Sequence, residues 1–441
     1  VNTQNAHQYW NFQMSQSASV PTRVVVVGAG HRSAVYARYA KDFPDRMQVV
    51  AMVDPHAGRR DILANEHDLP EQARFESIDK FLASGIEADA AINGTMDHLH
   101  YATTLPLLEH GLHVLLEKPI APTEAQVKEI ISVSERKEKL VMICHVLRYA
   151  PFYASIKKLL AAGEIGNIMA IHSTEAVSYH HMITGFVRGK WNRKETSNPI
   201  MMAKCCHDLD LLAWYMAGVK AKRVTSVGAL SHFTKENAPE GSADRCLVGC
   251  EIENDCQYSA KKMYVDANYG FGYAFEMYDH QLERDEKLKV LTNDNPYGRC
   301  AWRCDNNVVD HQSVLIQFEN NVTVTHDLVT NTARPTRNVH IVGTTGEIEG
   351  DMERGTFVVR HFDLTAPKGF TEELTDVKLT GGAGQGGHGG GDSRLVADFV
   401  AILRGEKDPK DATRIQDSLV GHQIGFAAEQ SMQSGQTVVI D

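Results

Sequence analysis

A chain of 441 residues, 43% hydrophobic and 23% charged, holds enough apolar material for two or three packed domains. Its net charge of −11, from 45 basic against 56 acidic side chains, argues against a general nucleic-acid binder, whose phosphate contacts need a basic surface. No run of about 18 apolar residues occurs, which argues against a membrane-spanning helix.

Residues 1–21 read as a polar tail without the charged and apolar regions of a secretory signal. Eight cysteines in a chain of this size, with no export signal, point to reduced thiols and a cytoplasmic protein. The first element is the apolar run Val24 to Val27, of the kind a buried parallel strand needs. It passes through Gly28-Ala29-Gly30 into a helical pattern beginning at His31 and Arg32. A glycine turn from strand to helix lets a pyrophosphate rest on bare backbone N–H groups at the positive helix end. The full fingerprint has a third glycine where this chain has Ser33. A second buried strand, "MQVVAMVDP", ends in Asp54, placed to accept hydrogen bonds from the adenosine ribose and repel a 2′-phosphate. NAD rather than NADP is therefore expected, although Arg59 and Arg60 follow closely.

Helices near 57–66 and 77–84 precede a strand ending at Asn93 and Gly94, then the helix "HLHYATTLPLLEHG" and the strand "HVLLEK". This alternation predicts a doubly wound parallel sheet with ligands beyond the carboxyl ends of its strands. "NGTMDHLH", with Asn93, Thr95 and His98, and "EKPIAP", with Glu117, Lys118 and Pro119, lie at such ends. Lys118, between an apolar strand and a proline, is placed to take or relay a proton.

Further along, "SYHHMITGFVRGKWNRKETSNP" is loop-like, basic and aromatic. His181, Arg188, Trp191 and Arg193 suit a wall over a polar substrate, or a solvated linker. "MMAKCCHDLDLLAWYM" reads as one helix with Met201, Cys205, Leu209 and Leu212 along an apolar stripe. Lys204 and His207 are three apart and share a face, and Asp210 follows one turn later. Lysine is a poor metal ligand and no acyl-transfer group surrounds the thiols, so Cys205 and Cys206 read as small buried hydrophobes. Residues 230–310 look like an insertion bearing Cys246, Cys250, Cys256, Cys300 and Cys304. Three thiolates plus a fourth from Cys300 or Cys304, with Cys304 taken here, suit a structural zinc; iron–sulfur ligation and buried thiols are the alternatives. The loop "GGAGQGGHGGGD" either brings His388 toward a substrate or is a flexible lid.

These motifs together, with "VMICHVLRYAPFYASIKKLLAAGEIG", "VGTTGEIEGD", "GHGGGDSRLVADFV" and "AAEQS", resemble the Gfo/Idh/MocA oxidoreductases, named for glucose–fructose oxidoreductase and inositol dehydrogenase. The resemblance runs from about residue 22 to the end and is strongest over 24–170 and 340–435. It implies a Rossmann NAD-binding domain (22–145) and an α/β domain (146–441) with a large open, mostly antiparallel sheet. That sheet would join a homodimer or homotetramer. The implied chemistry is hydride transfer from a secondary hydroxyl of a sugar, cyclitol or polyol to NAD. By resemblance Lys118 contacts the reacting hydroxyl and the nicotinamide ribose, and His207 completes an acid/base pair. Arg148, Tyr149 and Asp210 join the substrate set, Asp210 orienting His207 or capping the helix. The family's Asp-x-x-x-His places Ala203 where its aspartate would be, leaving Lys204 as a substitute polar group. Two other readings stay open: an NAD-retaining enzyme that cleaves glycosides by transient oxidation and elimination, and an NAD-sensing regulator.

Overall fold

A computed structural model describes residues 20–270, 272–278, 280–377 and 387–440, so most of the expected tail and residues 381–386 of the glycine loop lie outside it. The chain divides into two units. The first comprises the described residues up to Ala121, Ala125–Cys144 and Asp392–Asp417. Its strands are β1 (Thr22–Val27), β2 (Met47–Val53), β3 (Arg74–Phe75), β4 (Ala90–Asn93), β5 (His113–Leu116) and β6 (Val141–Ile143). They form one parallel sheet in the order β3-β2-β1-β4-β5-β6, that of a dinucleotide-binding fold. Helices α1 (His31–Asp42), α2 (Ala57–Glu66), α3 (Ile78–Ala83), α4 (His100–Glu109) and α5 (Glu124–Arg136) connect them. Both faces of such a sheet are covered, which is why Val24 to Val27 are all buried and the strand reads as continuous valine. α5 turns Val127, Ile130 and Val133 inward at helical spacing.

The expected second domain lends Asp392–Asp417 to this unit. The segment covers the free edge of β6: Ile143 N donates to the Thr413 carbonyl at 2.7 Å, and Thr413 Oγ1 donates back to the Ile143 carbonyl at 2.6 Å. An edge strand needs such a partner for its backbone groups.

The second unit contains Pro122–Glu124, His145–Gly391 and the residues from Ser418. Its helices are α6 (Pro151–Ala162), α7 (Tyr179–Met182), α8 (Ile200–Ala203), α9 (Cys206–Tyr215) and α10 (Arg284–Thr292); α11 (Gly387–Leu403) and α12 (Ile415–Ser434) are shared with the first unit. Its strands are β7 (Ile168–Ser178), β8 (Ala221–Ala229), β9 (His311–Phe318), β10 (Thr323–Thr332), β11 (Thr336–Gly343), β12 (Gly346–Asp351), β13 (Thr356–Phe362), β14 (Phe370–Asp376) and β15 (Val438–Val439). They order as β14-β13-β12-β11-β7-β10-β9-β8-β15, antiparallel except for β7 with β10. In β9, Gln312, Val314, Ile316 and Phe318 face inward while His311, Ser313 and Leu315 face out, the period of a half-covered sheet. The expected insertion contributes α10 and packs Phe233, Tyr258, Tyr264 and Trp302 into the core. No helix among the described residues is long and apolar enough to cross a membrane.

Candidate nucleotide-binding and catalytic residues

β1 hands the chain to α1 through Gly28, whose φ is +82°. A Cβ there would lie 2.9 Å from the backbone of Gly94 and Thr95, so only glycine fits. Gly30 is the N-cap of α1, and nothing lies within 4 Å of the place its Cβ would take. The N–H groups at the start of α1 are thus approachable by a phosphate, with His31 exposed beside them. Ser33 stands where the fingerprint has its third glycine, and its Oγ lies 2.2 Å from the Cβ that Gly94 lacks. The missing glycine is therefore supplied by the neighbouring strand's loop. Asp54, buried at the end of β2, accepts from Ala29 N at 2.8 Å and His56 N at 2.7 Å, and pairs with Arg59 at 3.2 Å. Its carboxylate is fixed against the glycine turn.

At the end of β4 the Asn93 amide donates to Thr103 and Thr104 and accepts from Thr95 Oγ1 at 2.9 Å, bracing the loop from within. His98 is exposed. The sequence reading missed His100, which is buried and bridges the carbonyls of Thr95 at 3.0 Å and Pro119 at 2.7 Å. It ties the β4 loop to the Lys118–Pro119 turn, whose peptide is cis. Glu117 Oε2 accepts from Lys118 N at 2.8 Å. Its Oε1 accepts from Arg32 Nε at 2.9 Å and from the Tyr36 hydroxyl at 2.5 Å. Arg32 also donates to Asp392, 360 positions away. Burial would raise the Glu117 carboxyl, but the Arg32 guanidinium and Lys118 outweigh it and hold it below its ordinary value. Arg32 is committed to this network, and Lys118 projects from it half-buried.

In the second unit the stretch expected as one helix breaks at Lys204 and Cys205 into α8 and α9. Lys204 Nζ pairs with Glu175 at 3.1 Å, and Arg337 bridges Glu175 and Asp208. Lys204 thus belongs to a buried network of two carboxylates and two cations. The nearby Cys205, Asp208 and His326 are the one group among the described residues with three or more potential metal-ligating atoms within 4.8 Å of one another. With its carboxylates already balanced, that group gains little from a further cation.

His207 is buried on α9, its ring 5.8 Å from that of His145 and 5.5 Å from that of His388. The His422 ring stands 5.9 Å from that of His145. Burial pushes His422 down to about 4. His388 is held at φ +58°, a left-handed conformation shared with Gly389 and Gly390 after it. Asp210 lies inside α9, whose N-cap is Cys205. It takes two bonds of 2.6 Å from Arg148 and lies 3.5 Å from His145 Nε2. Burial raises its carboxyl against the pull of Arg148. Tyr149 follows, half-buried.

The basic loop differs from an open wall. Arg188 is 1% exposed and donates to the carbonyls of Arg299 and Tyr258 and to Cys246 Sγ, so it is an internal brace and not a substrate arginine. Arg193 is half-buried and bonds Asp305 and Glu195. Trp191 stands edge-on to Tyr273 with Lys190 over its ring, and His181 stacks near Phe186. The expected zinc set also needs correction. Cys304 donates to the Cys300 carbonyl four residues back, while Cys300 lines a cavity with Cys246, Cys250 and Cys256.

A family model described as "Oxidoreductase family, NAD-binding Rossmann fold" (GFO_IDH_MocA) matches residues 22–145, and its companion, "Oxidoreductase family, C-terminal alpha/beta domain", matches residues 157–440. The chain is 26% identical over 284 residues to inositol 2-dehydrogenase of Corynebacterium glutamicum, covering 64% of this chain and 76% of that protein. It is 25% identical over 207 residues to 2,7-anhydro-N-acetylneuraminate hydratase of Mediterraneibacter gnavus, covering 47% of this chain and 52% of that one. Among solved structures, the WlbA dehydrogenase of Bordetella pertussis, in complex with NADH and UDP-GlcNAcA, shares the fold. Its TM-score is 0.65 at 15% identity, covering 96% of this chain and 98% of that one.

Proposed function

The chain belongs to the Gfo/Idh/MocA oxidoreductase family, and from that premise we propose that it is an NAD-dependent dehydrogenase of a secondary hydroxyl on a sugar, cyclitol or related polyol. The observation that carries this reading is the turn Gly28–Gly30, backed by Gly94, with the buried carboxylate of Asp54 at its side. A bound NAD supplies the hydride acceptor. In this reading the turn and the first N–H groups of α1 hold its pyrophosphate. Asp54 takes the adenosine ribose and disfavours a 2′-phosphate. Lys118, set by Glu117 and the Pro119 turn, binds the reacting hydroxyl and takes its proton. His207 is the second proton-handling group. Arg148, fixed by Asp210, orients hydroxyls, with Tyr149, His181, Trp191 and His388 in supporting roles. The inositol dehydrogenase relative supports a polyol substrate.

Incubation of the purified chain with NAD or NADP and a panel of inositols, free sugars and glycosides, followed by reduced-cofactor absorbance, tests the proposal. Accumulation of NADH with one polyol is expected, and Lys118→Ala should lower kcat/KM by about 10²–10⁴. Turnover unchanged in that variant, or tighter binding of NADP than NAD, overturns the assignments of Lys118 and Asp54.

A second reading is favoured by Ala203 at the family's aspartate position and by a hydratase among the relatives. NAD is then retained, and transient oxidation beside a glycosidic carbon acidifies a neighbouring C–H for elimination. Aglycone release without NADH accumulation would support it. Silence in both channels with NAD bound would favour a cofactor-sensing regulator.

A further inference from the structure

Four cysteines remain outside that chemistry and meet around one cavity of the second unit: Cys246, Cys250 and Cys256 from one loop, Cys300 from another. We propose that they form a structural metal site in which four thiolates hold one zinc ion.

Besides the shared cavity, the argument rests on what surrounds the sulfurs. Tyr258 N donates to Cys256 Sγ at 3.3 Å, and Arg188 donates to Cys246 Sγ at 3.3 Å. A neutral thiol is a weak acceptor, whereas a metal thiolate is a strong one, and N–H groups two or three residues onward are its usual outer partners. The charge fits as well. Four thiolates around a divalent ion total −2, and the cation buried beside them is Arg188, which donates to two carbonyls and two sulfurs. A guanidinium so placed needs negative charge nearby.

Zinc displaces the thiol protons of its ligands as it binds. No three of the sulfurs stand within 4.8 Å of one another, whereas tetrahedral bonds of about 2.3 Å bring sulfurs to roughly 3.8 Å. Closure on the ion falls to Cys250 and Cys256, which are only half-buried. The site would clip the first part of the insertion to its last part, after α10, and fix Arg188, three residues before Trp191. It is independent of the dehydrogenase reading.

Metal analysis of the full chain purified under reducing conditions is expected to give about one zinc per chain. After chelation, cobalt(II) added back should give the charge-transfer and d–d bands of a tetrahedral thiolate site, with release of protons. Cys300→Ser and Cys250→Ser should each weaken cobalt binding at least about tenfold, while Cys304→Ser should leave it unchanged. The cobalt spectrum of the unaltered chain keeps the test valid if a serine variant fails to fold. Absence of zinc together with no cobalt–thiolate spectrum in fully reduced protein overturns the proposal. So does iron in place of zinc, a disulfide among the four, or loss of metal in Cys205→Ser with retention in Cys300→Ser.

Discussion

The contact between Ser33 and Gly94 shows how one residue's departure from a pattern is absorbed by another. Gly94→Ala would place a Cβ 2.2 Å from Ser33 Oγ. Overpacking of this kind costs about 1–3 kcal/mol and here should also weaken NAD binding, because Gly28 packs on the same loop. The double variant Gly94→Ala with Ser33→Gly should recover most of both losses, read by thermal melting and NAD titration. His422 makes a separate prediction. Its folded value of about 4 lies below the ordinary 6.5. The unfolded chain therefore binds a proton between those values that the folded chain refuses. The contribution is complete above pH 6.5 and declines as pH falls toward 4, by roughly 3 kcal/mol. His422→Gln should flatten the urea midpoint against pH over that window, though not fully, since burial also lowers His113 to about 4. The positions of Gly28, Gly30, Asp54 and Lys118 at strand ends were legible because they depend on local pattern and spacing. The Arg32–Asp392 pair was not, since only the fold brings residues that far apart together.

Among elements, those with unbroken patterns were the most legible: the four valines of β1, the alternation of β9, the helical spacing of α5. The break between α8 and α9 was invisible because "AKCCHD" contains no glycine or proline. The interruption coincides with ion pairs reaching across to β7 and β11, where Glu175 and Arg337 wait. This assigns Lys204 a weight different from that of Lys118. Lys204→Met should lower the denaturation midpoint by leaving Glu175 less well balanced, while kcat/KM changes by less than about threefold. A loss as deep as that of Lys118→Ala would return Lys204 to the catalytic set. The cysteine insertion teaches the same lesson on a smaller span. Cys300 and Cys304 are equivalent by spacing, and only the course of the loop decides which one faces the cavity.

For the molecule as a whole, the outer face of the nine-stranded sheet leaves Val227 68%, Leu315 50% and Val329 41% exposed on adjacent strands. We propose that copies of the chain associate through this face. Light scattering should report a dimer or tetramer, and Val227→Lys with Leu315→Lys should yield monomers; a monomeric unaltered chain would refute it. The return of Asp392–Asp417 to the first unit bears on how the protein is made. A ribosome delivers β1 to β6 early, then hundreds of residues that pack elsewhere, before Asp392 and Thr413 emerge. Through that interval the edge of β6 lacks its cover and Arg32 has Glu117 but not yet Asp392 as a counter-ion. The nascent nucleotide unit is exposed to wrong pairing until translation nears its end. A gene rearranged to encode 392–417 directly after 145 would complete that unit during synthesis, whereas a fragment stopped at 145 would emerge with its last edge open.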